Sequence, residues 1–258
     1  MWQLVATFLI FFVVGDVSAS YKPTTLVYNV SWGNISLAKS QLDYEFGEDD
    51  ARISAHFASK GVINFFRGFR SRSIAELVRK DTGWAPKTLL MERISGREVV
   101  NSNVIWDNTS SVVSETRVPE LDLTEVHPLD DRMKVNVLDP YSAVLRLLNQ
   151  IEKTGDCTSS YEIYDGRRRS RIYFEKIGKI VLEQDRPGVF TGSAMVCDVK
   201  FDPIGGHRIN PKWRSNKDQN GRVKVFFARP LESQVMPVRI EVKSWIGKII
   251  GRLDLRQM

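Results

Sequence analysis

Arg52-Ile53-Ser54-Ala55-His56-Phe57 alternates polar and apolar side chains one for one. A β-strand sends successive side chains to opposite faces, so this stretch reads as a strand with one face on a core and the other in water. The same period of two recurs along the chain. Leu42, Tyr44 and Phe46 alternate with Asp43 and Glu45, and Val223, Val225 and Phe227 with Arg222, Lys224 and Phe226. Val238, Ile240 and Val242 alternate with Arg239, Glu241 and Lys243. Turn chemistry separates the runs: Phe46-Gly47-Glu48-Asp49-Asp50, Asp81-Thr82-Gly83, Ser95-Gly96, Asp165-Gly166 and Asn220-Gly221. Such patterning suits antiparallel strands.

One segment departs from the period. Asp139-Pro140-Tyr141-Ser142 places an N-capping carboxylate before a proline at the first helical position. Tyr141, Val144, Leu145, Leu148 and Ile151 then form one apolar stripe, and Lys153 with Gly155 marks the end. A shorter helix is expected around Gly61 to Phe69, where Val62, Phe65, Phe66 and Phe69 share a helical face. Ser114 to Met133 is weakly patterned, and Arg208 to Gly221 reads as a polar loop. The fold expected is mainly β, a curved antiparallel sheet or open barrel with one helix packed on or in it. Residues 20–258 are expected to form a single β-rich domain, because strand patterns resume in the same style on each side of every loop.

Residues Trp2 to Val14 are apolar apart from Gln3 and Thr7, and Val17-Ser18-Ala19 follows with the small-x-small pattern of a signal-peptidase site. About thirteen apolar residues are too few to span a bilayer as a helix, which takes roughly twenty. Residues 1–19 are therefore read as a signal peptide cleaved after Ala19, with the mature protein in the periplasm. Removing Asp16 with the leader raises the formal charge from +6 to +7. Outside the cytoplasm the anionic partners available are envelope components such as lipid head groups, and nucleic acid is not expected; the excess of cations is read first as a contribution to solubility. Cys157 and Cys197 are an even pair, which in an oxidising compartment favours a disulfide over two buried thiols.

No catalytic signature, cofactor motif or metal-ligand set stands out, so the chain is expected not to be an enzyme. GxSxG, HExxH and a phosphate-binding glycine loop are missing from the sequence. His56, His127 and His207 are far apart, and the acidic pairs Asp49-Asp50 and Asp130-Asp131 read as solvated loops. The basic runs carry more information. On a strand, Arg167, Arg169 and Arg171 would share one face at roughly 7 Å spacing, able to grip phosphate or carboxylate groups. The same three side chains would equally serve as a charged surface that blocks edge-to-edge association. Phe65, Phe66, Arg67, Phe69 and Arg70 interleave rings with guanidinium groups, which suits a membrane surface or, alternatively, a core helix with solvated arginines.

The order of several blocks resembles a known family. Leu138-Asp139-Pro140-Tyr141-Ser142-Ala143 is followed by Cys157 and by Tyr161-Glu162-Ile163-Tyr164-Asp165-Gly166-Arg167-Arg168. Cys197-Asp198-Val199-Lys200-Phe201-Asp202-Pro203-Ile204-Gly205-Gly206-His207 comes next, then Pro237-Val238 and Ile246-Gly247. With Tyr28-Asn29-Val30-Ser31-Trp32-Gly33 and Ser59-Lys60-Gly61, the chain resembles the bacterial exported proteins of domain-of-unknown-function family 3108, as found in alphaproteobacteria. The resemblance implies an envelope protein on a curved antiparallel sheet, similar in outline to the open barrels of lipoprotein carriers. It also implies the Cys157–Cys197 bridge, and it carries over no catalytic residue. The function expected is a noncatalytic envelope protein holding a lipid-like or hydrophobic ligand in the curve of its sheet. The alternative is an interaction protein supporting envelope assembly through a protein partner, and an enzyme acting on envelope polymers stands third.

Overall fold

The computed structural model describes residues 24–61, 68–209, 222–244 and 247–258. The leader, the Asn220-Gly221 turn and most of the short helix expected after Gly61 lie outside these residues. Thirteen strands form one antiparallel sheet. Its first seven are β1 (Thr24–Trp32), β2 (Ile35–Phe46), β3 (Asp50–Ser59), β4 (Phe69–Lys80), β5 (Gly83–Ser95), β6 (Glu98–Trp106) and β7 (Val112–Val118). A helix, α1 (Pro140–Thr154), precedes β8 (Ser159–Tyr164), β9 (Arg169–Leu182), β10 (Gly192–Gly205), β11 (Val223–Ala228), β12 (Met236–Ser244) and β13 (Gly247–Leu253).

The strand order, β7-β6-β5-β4-β3-β2-β1-β13-β12-β11-β10-β9-β8, is two meanders joined where β13 pairs with β1. Tyr28 faces Leu253 and Trp32 faces Ile249 across that seam. The ladder does not close into a barrel, because β7 and β8 are its two edges. Chain from the β7–α1 connection lies between them. Val137 N–H donates to the Ser110 carbonyl at 3.0 Å, Leu138 N–H to that of Glu162 at 2.9 Å, and Tyr164 N–H to that of Leu138 at 2.8 Å. The Tyr164 hydroxyl then donates across the gap to Glu115 at 2.5 Å. The weakly patterned Ser114 to Met133 thus holds the end of β7 and a 3-10 turn at Leu123–Glu125, with a second such turn at Asp131–Lys134.

Register orders the inner face into rows. Tyr44, Ile53, Ala75, Leu89 and Val104 stand side by side across β2 to β6, all buried in one core cluster. Each large side chain fully buried there contributes about 1.5–3 kcal/mol. The next row, Leu42, Ala55, Ser73, Met91, Ser102 and Arg117, mixes apolar and polar groups. The row beyond it, Ser40, Phe57, Ser71, Arg93 and Val100, is more polar again. The inner face therefore grades from apolar to cationic along the strands.

The apolar part is covered by α1. Asp139 caps the helix as expected, accepting from the N–H groups of Tyr141 at 2.8 Å and Ser142 at 3.1 Å, and Gly155 ends it in the left-handed region. The buried surface is wider than the single stripe expected. Leu145 enters the main cluster, with Tyr141 and Leu148 packed against it. Ala143, Leu147 and Ile151 pack into a second cluster with Cys157, Ile163, Phe174, Met195 and Cys197. A helix held between two apolar surfaces buries residues on both sides, so Leu147 joins the core. The Cys157–Cys197 disulfide forms, with Cα atoms 6.5 Å apart, and ties the chain after α1 to β10.

Candidate anion-binding site

At the polar end of the rows, the inner faces of β4, β5 and β6 meet the β8–β9 turn. A cavity of about 330 Å³ there is lined by Phe69, Arg93, Ser95, Glu98, Arg167 and Arg208. A smaller one of about 60 Å³ shares Arg93 and Arg167 and adds Met91, Val100, Ser102, Arg117, Asp165 and Arg168. Strand alternation aims Arg93 inward, since Leu89, Met91 and Arg93 occupy the same face of β5. Arg117 is inward for the same reason, standing opposite Ser102.

Two glycines let the turn enter this space. Gly166 has φ of +81°, and a Cβ there would stand 3.0 Å from Val104 Cγ2 on β6. Gly206, at φ +72°, passes so close to the Arg167 carbonyl that a Cβ would collide with it. Inside the turn, Asp165 accepts the Arg167 and Arg168 N–H groups at 3.1 and 2.7 Å. It also takes the Arg168 guanidinium at 2.8 and 2.6 Å. His207 Nε2 sits 3.0 Å from Ser170 Oγ and donates to the Arg169 carbonyl at 3.1 Å, which holds the segment carrying Arg208 against β9.

Five guanidinium groups thus share the space with two carboxylates. Arg168 is satisfied by Asp165, and Arg93 lies 3.6 Å from Glu98. Among the described residues no carboxylate lies within ion-pair distance of Arg117, Arg167 or Arg208. The Nε groups of Arg117 and Arg167 are buried without a hydrogen-bond partner there. Burial, then the neighbouring Arg168 guanidinium, lowers the pKa of Arg167 from the ordinary arginine value. Burial, then Arg93, does the same for Arg117. Unpaired buried donors in a crowd of like charge are costly, and a bound anion removes that cost.

Residues 27–255 match the model of a family described as a protein of unknown function, DUF3108. The chain belongs to this family. No curated protein matches the DUF3108 chain. Its fold is similar to a crystal structure of a β-barrel-like protein of domain of unknown function DUF1849 from Brucella abortus, with a TM-score of 0.50. That likeness covers 90% of this chain and 95% of the other at 7% identity, so it bears on the fold alone.

The DUF3108 chain distributes its sequence-predicted residues unevenly. Arg169 and Arg171 do share a face of β9, but both are tied to Glu162. Their Nε groups donate to its two oxygens at 3.0 Å each, and a further nitrogen of each guanidinium completes the pair. Arg167 precedes the strand and turns into the cavity instead, so the three do not act as one grip. Phe69 opens β4 facing inward, its ring 5.8 Å from that of Phe57. Arg70 is on the opposite, exposed face. Phe65, Phe66 and Arg67 lie outside the described residues. His56 and His127 are exposed. Arg93, Arg117 and Arg208 were not singled out in the sequence. The available signal for Arg93 was an arginine on the apolar phase of a strand, Leu89-x-Met91-x-Arg93.

Proposed function

We propose that this chain is a noncatalytic, exported protein of the cell envelope. In this reading it binds an anionic envelope component at the arginine-lined end of its curved sheet. The observation that carries the reading is the group Arg117, Arg167 and Arg208 along two adjoining cavities, Arg167 lining both, with no carboxylate at ion-pair distance of the three among the described residues. The disulfide fits an exported protein, and the leader read in residues 1–19 agrees with a periplasmic mature chain starting at Ser20. Leu145, Tyr141 and Leu148 occupy the apolar end of the inner face. A lipid-like ligand would accordingly be held by its charged head beside Met91 and Val100, rather than swallowed along the whole sheet.

Native mass spectrometry of protein purified from the periplasm, with the N-terminal residue sequenced, tests this reading. A mature chain beginning at Ser20 and carrying an anionic adduct is the expected result. A clean apo mass that no added anion changes would remove it.

A second reading, an interaction protein in envelope assembly, is favoured by one feature of β9. The β8 ladder covers β9 only as far as Phe174. Beyond it Ile177, Ile180 and Val181 are exposed, beside an edge suited to an extended partner. Capture of a protein partner lost on Ile180→Glu substitution, with no small-molecule adduct, would favour this reading.

A further inference from the structure

We propose that the ligand of the larger arginine-lined cavity is a phosphate monoester, bound through the Arg167 and Arg208 guanidinium groups, with Arg117 adding its charge from the adjoining smaller space. This inference rests on the anion-binding reading above and names the chemical class of the anion.

Charge is the first argument. With Arg168 matched to Asp165 and Arg93 beside Glu98, three cations remain without a carboxylate at ion-pair distance among the described residues. A single carboxylate would offset only one of them. A phosphate monoester carries about −1.5 to −2 charges at pH 7 and three strong acceptor oxygens. Geometry is the second argument. Guanidinium groups present planar forks of N–H donors that match phosphate oxygens, and such charge-assisted bonds are roughly twice as strong as neutral ones. The Nε groups of Arg117 and Arg167 are buried without a partner among the described residues, so neither is committed to a protein acceptor through that atom.

Size and lining supply the third argument. The 330 Å³ cavity is at the lower end of the range for small-ligand sites. Phe69 lies at one side of it, and Met91 and Val100 line the smaller space that joins it. Apolar walls beside a cationic cluster suit an ester carrying an organic group better than bare phosphate. Such an ester can come from a lipid head group or from a soluble phosphorylated metabolite, and the two share the chemistry recognised here.

Calorimetric titration of the full mature chain at low salt tests the proposal with three probes: glycerol 3-phosphate, dihexanoylphosphatidic acid and succinate. Both phosphomonoesters are expected to bind more tightly than succinate. Arg167→Gln and Arg208→Gln should each weaken that binding about tenfold or more, the scale of one lost charge-assisted hydrogen bond. Arg52→Gln, on the outer face, should leave it unchanged. Dihexanoylphosphatidic acid binding at least tenfold tighter than glycerol 3-phosphate assigns a lipid source, and equal or weaker binding assigns a soluble one. Succinate binding as tightly as either phosphate overturns the proposal while the anion site stands. No binding of any probe overturns both. Should Arg167→Gln fail to fold, the exposed Arg208 carries the test alone, and unchanged phosphate binding in Arg208→Gln then overturns the proposal.

Discussion

Glu162 holds Arg169 and Arg171 at once, and Arg169 reaches on to the Met133 carbonyl at 2.6 Å. One carboxylate therefore fastens β8 to β9 and both to the 3-10 turn at Asp131–Lys134. The Arg169 hydrogen bond, followed by that of Arg171, lowers the Glu162 pKa against the opposing effect of burial. A lowered folded-state pKa stabilises the fold above the unfolded value of about 4.3, and that contribution is lost as pH falls through the folded value. Urea unfolding of Glu162→Gln at pH 7 should show a loss of about 1–3 kcal/mol, the scale for hydrogen bonds to a charged group. Its stability should also fall less steeply than the parent's below about pH 4.3; equal acid slopes would refute the assignment. At the helix start, Asp139→Ala removes an acceptor for two N–H groups. Thermal unfolding should report a cost of about 1–2 kcal/mol.

Helix α1 and the bridge behind it act as one element. The helix fills the apolar end of the inner face on one side and packs on the disulfide cluster on the other. Leu147→Ala, at a site 1% exposed, should destabilise the chain by about 2–5 kcal/mol in chemical denaturation. Opening the bridge frees a 40-residue loop, for which the chain-entropy relation gives about 4 kcal/mol. Urea titration with and without reductant should show that shift in midpoint. The N-cap, the proline, the terminal glycine and the bridge were legible because each is a local or pairwise signal. The two-sided burial of the helix was not. Its period identifies an apolar stripe, whereas the second surface comes from β8 to β10, which the helix sequence does not encode.

At the scale of the molecule, the ladder runs unbroken from β7 through the β1–β13 seam to β8. Both ends of the described chain pair with each other, so neither meander has a complete core alone. Unfolding followed by far-UV circular dichroism and by tryptophan fluorescence should therefore give coincident single transitions. Two separated transitions would show instead that residues 20–258 are more than one domain. The graded inner face is also a property of this scale. Its apolar row needs five strands in register, and its cationic end needs β4 to β7, the β8–β9 turn and the segment after β10 brought together.

Alternation of period two, the turn residues and the capped helix determined from the sequence alone that this is a mainly antiparallel β protein with one helix. These signals are local, set by the pleat of a strand and the pitch of a helix, and they survive in one dimension. The resemblance read from short blocks also held, since residues 27–255 match the same family. Tertiary structure alone decided which arginines line the two adjoining cavities. Arg169 and Arg171 look available in the sequence and are neutralised by Glu162, seven and nine residues before them. Arg93, Arg117 and Arg208 look ordinary and converge with Arg167. Charge pairing depends on distance in space, and between strands far apart in sequence only the register of the finished sheet sets that distance.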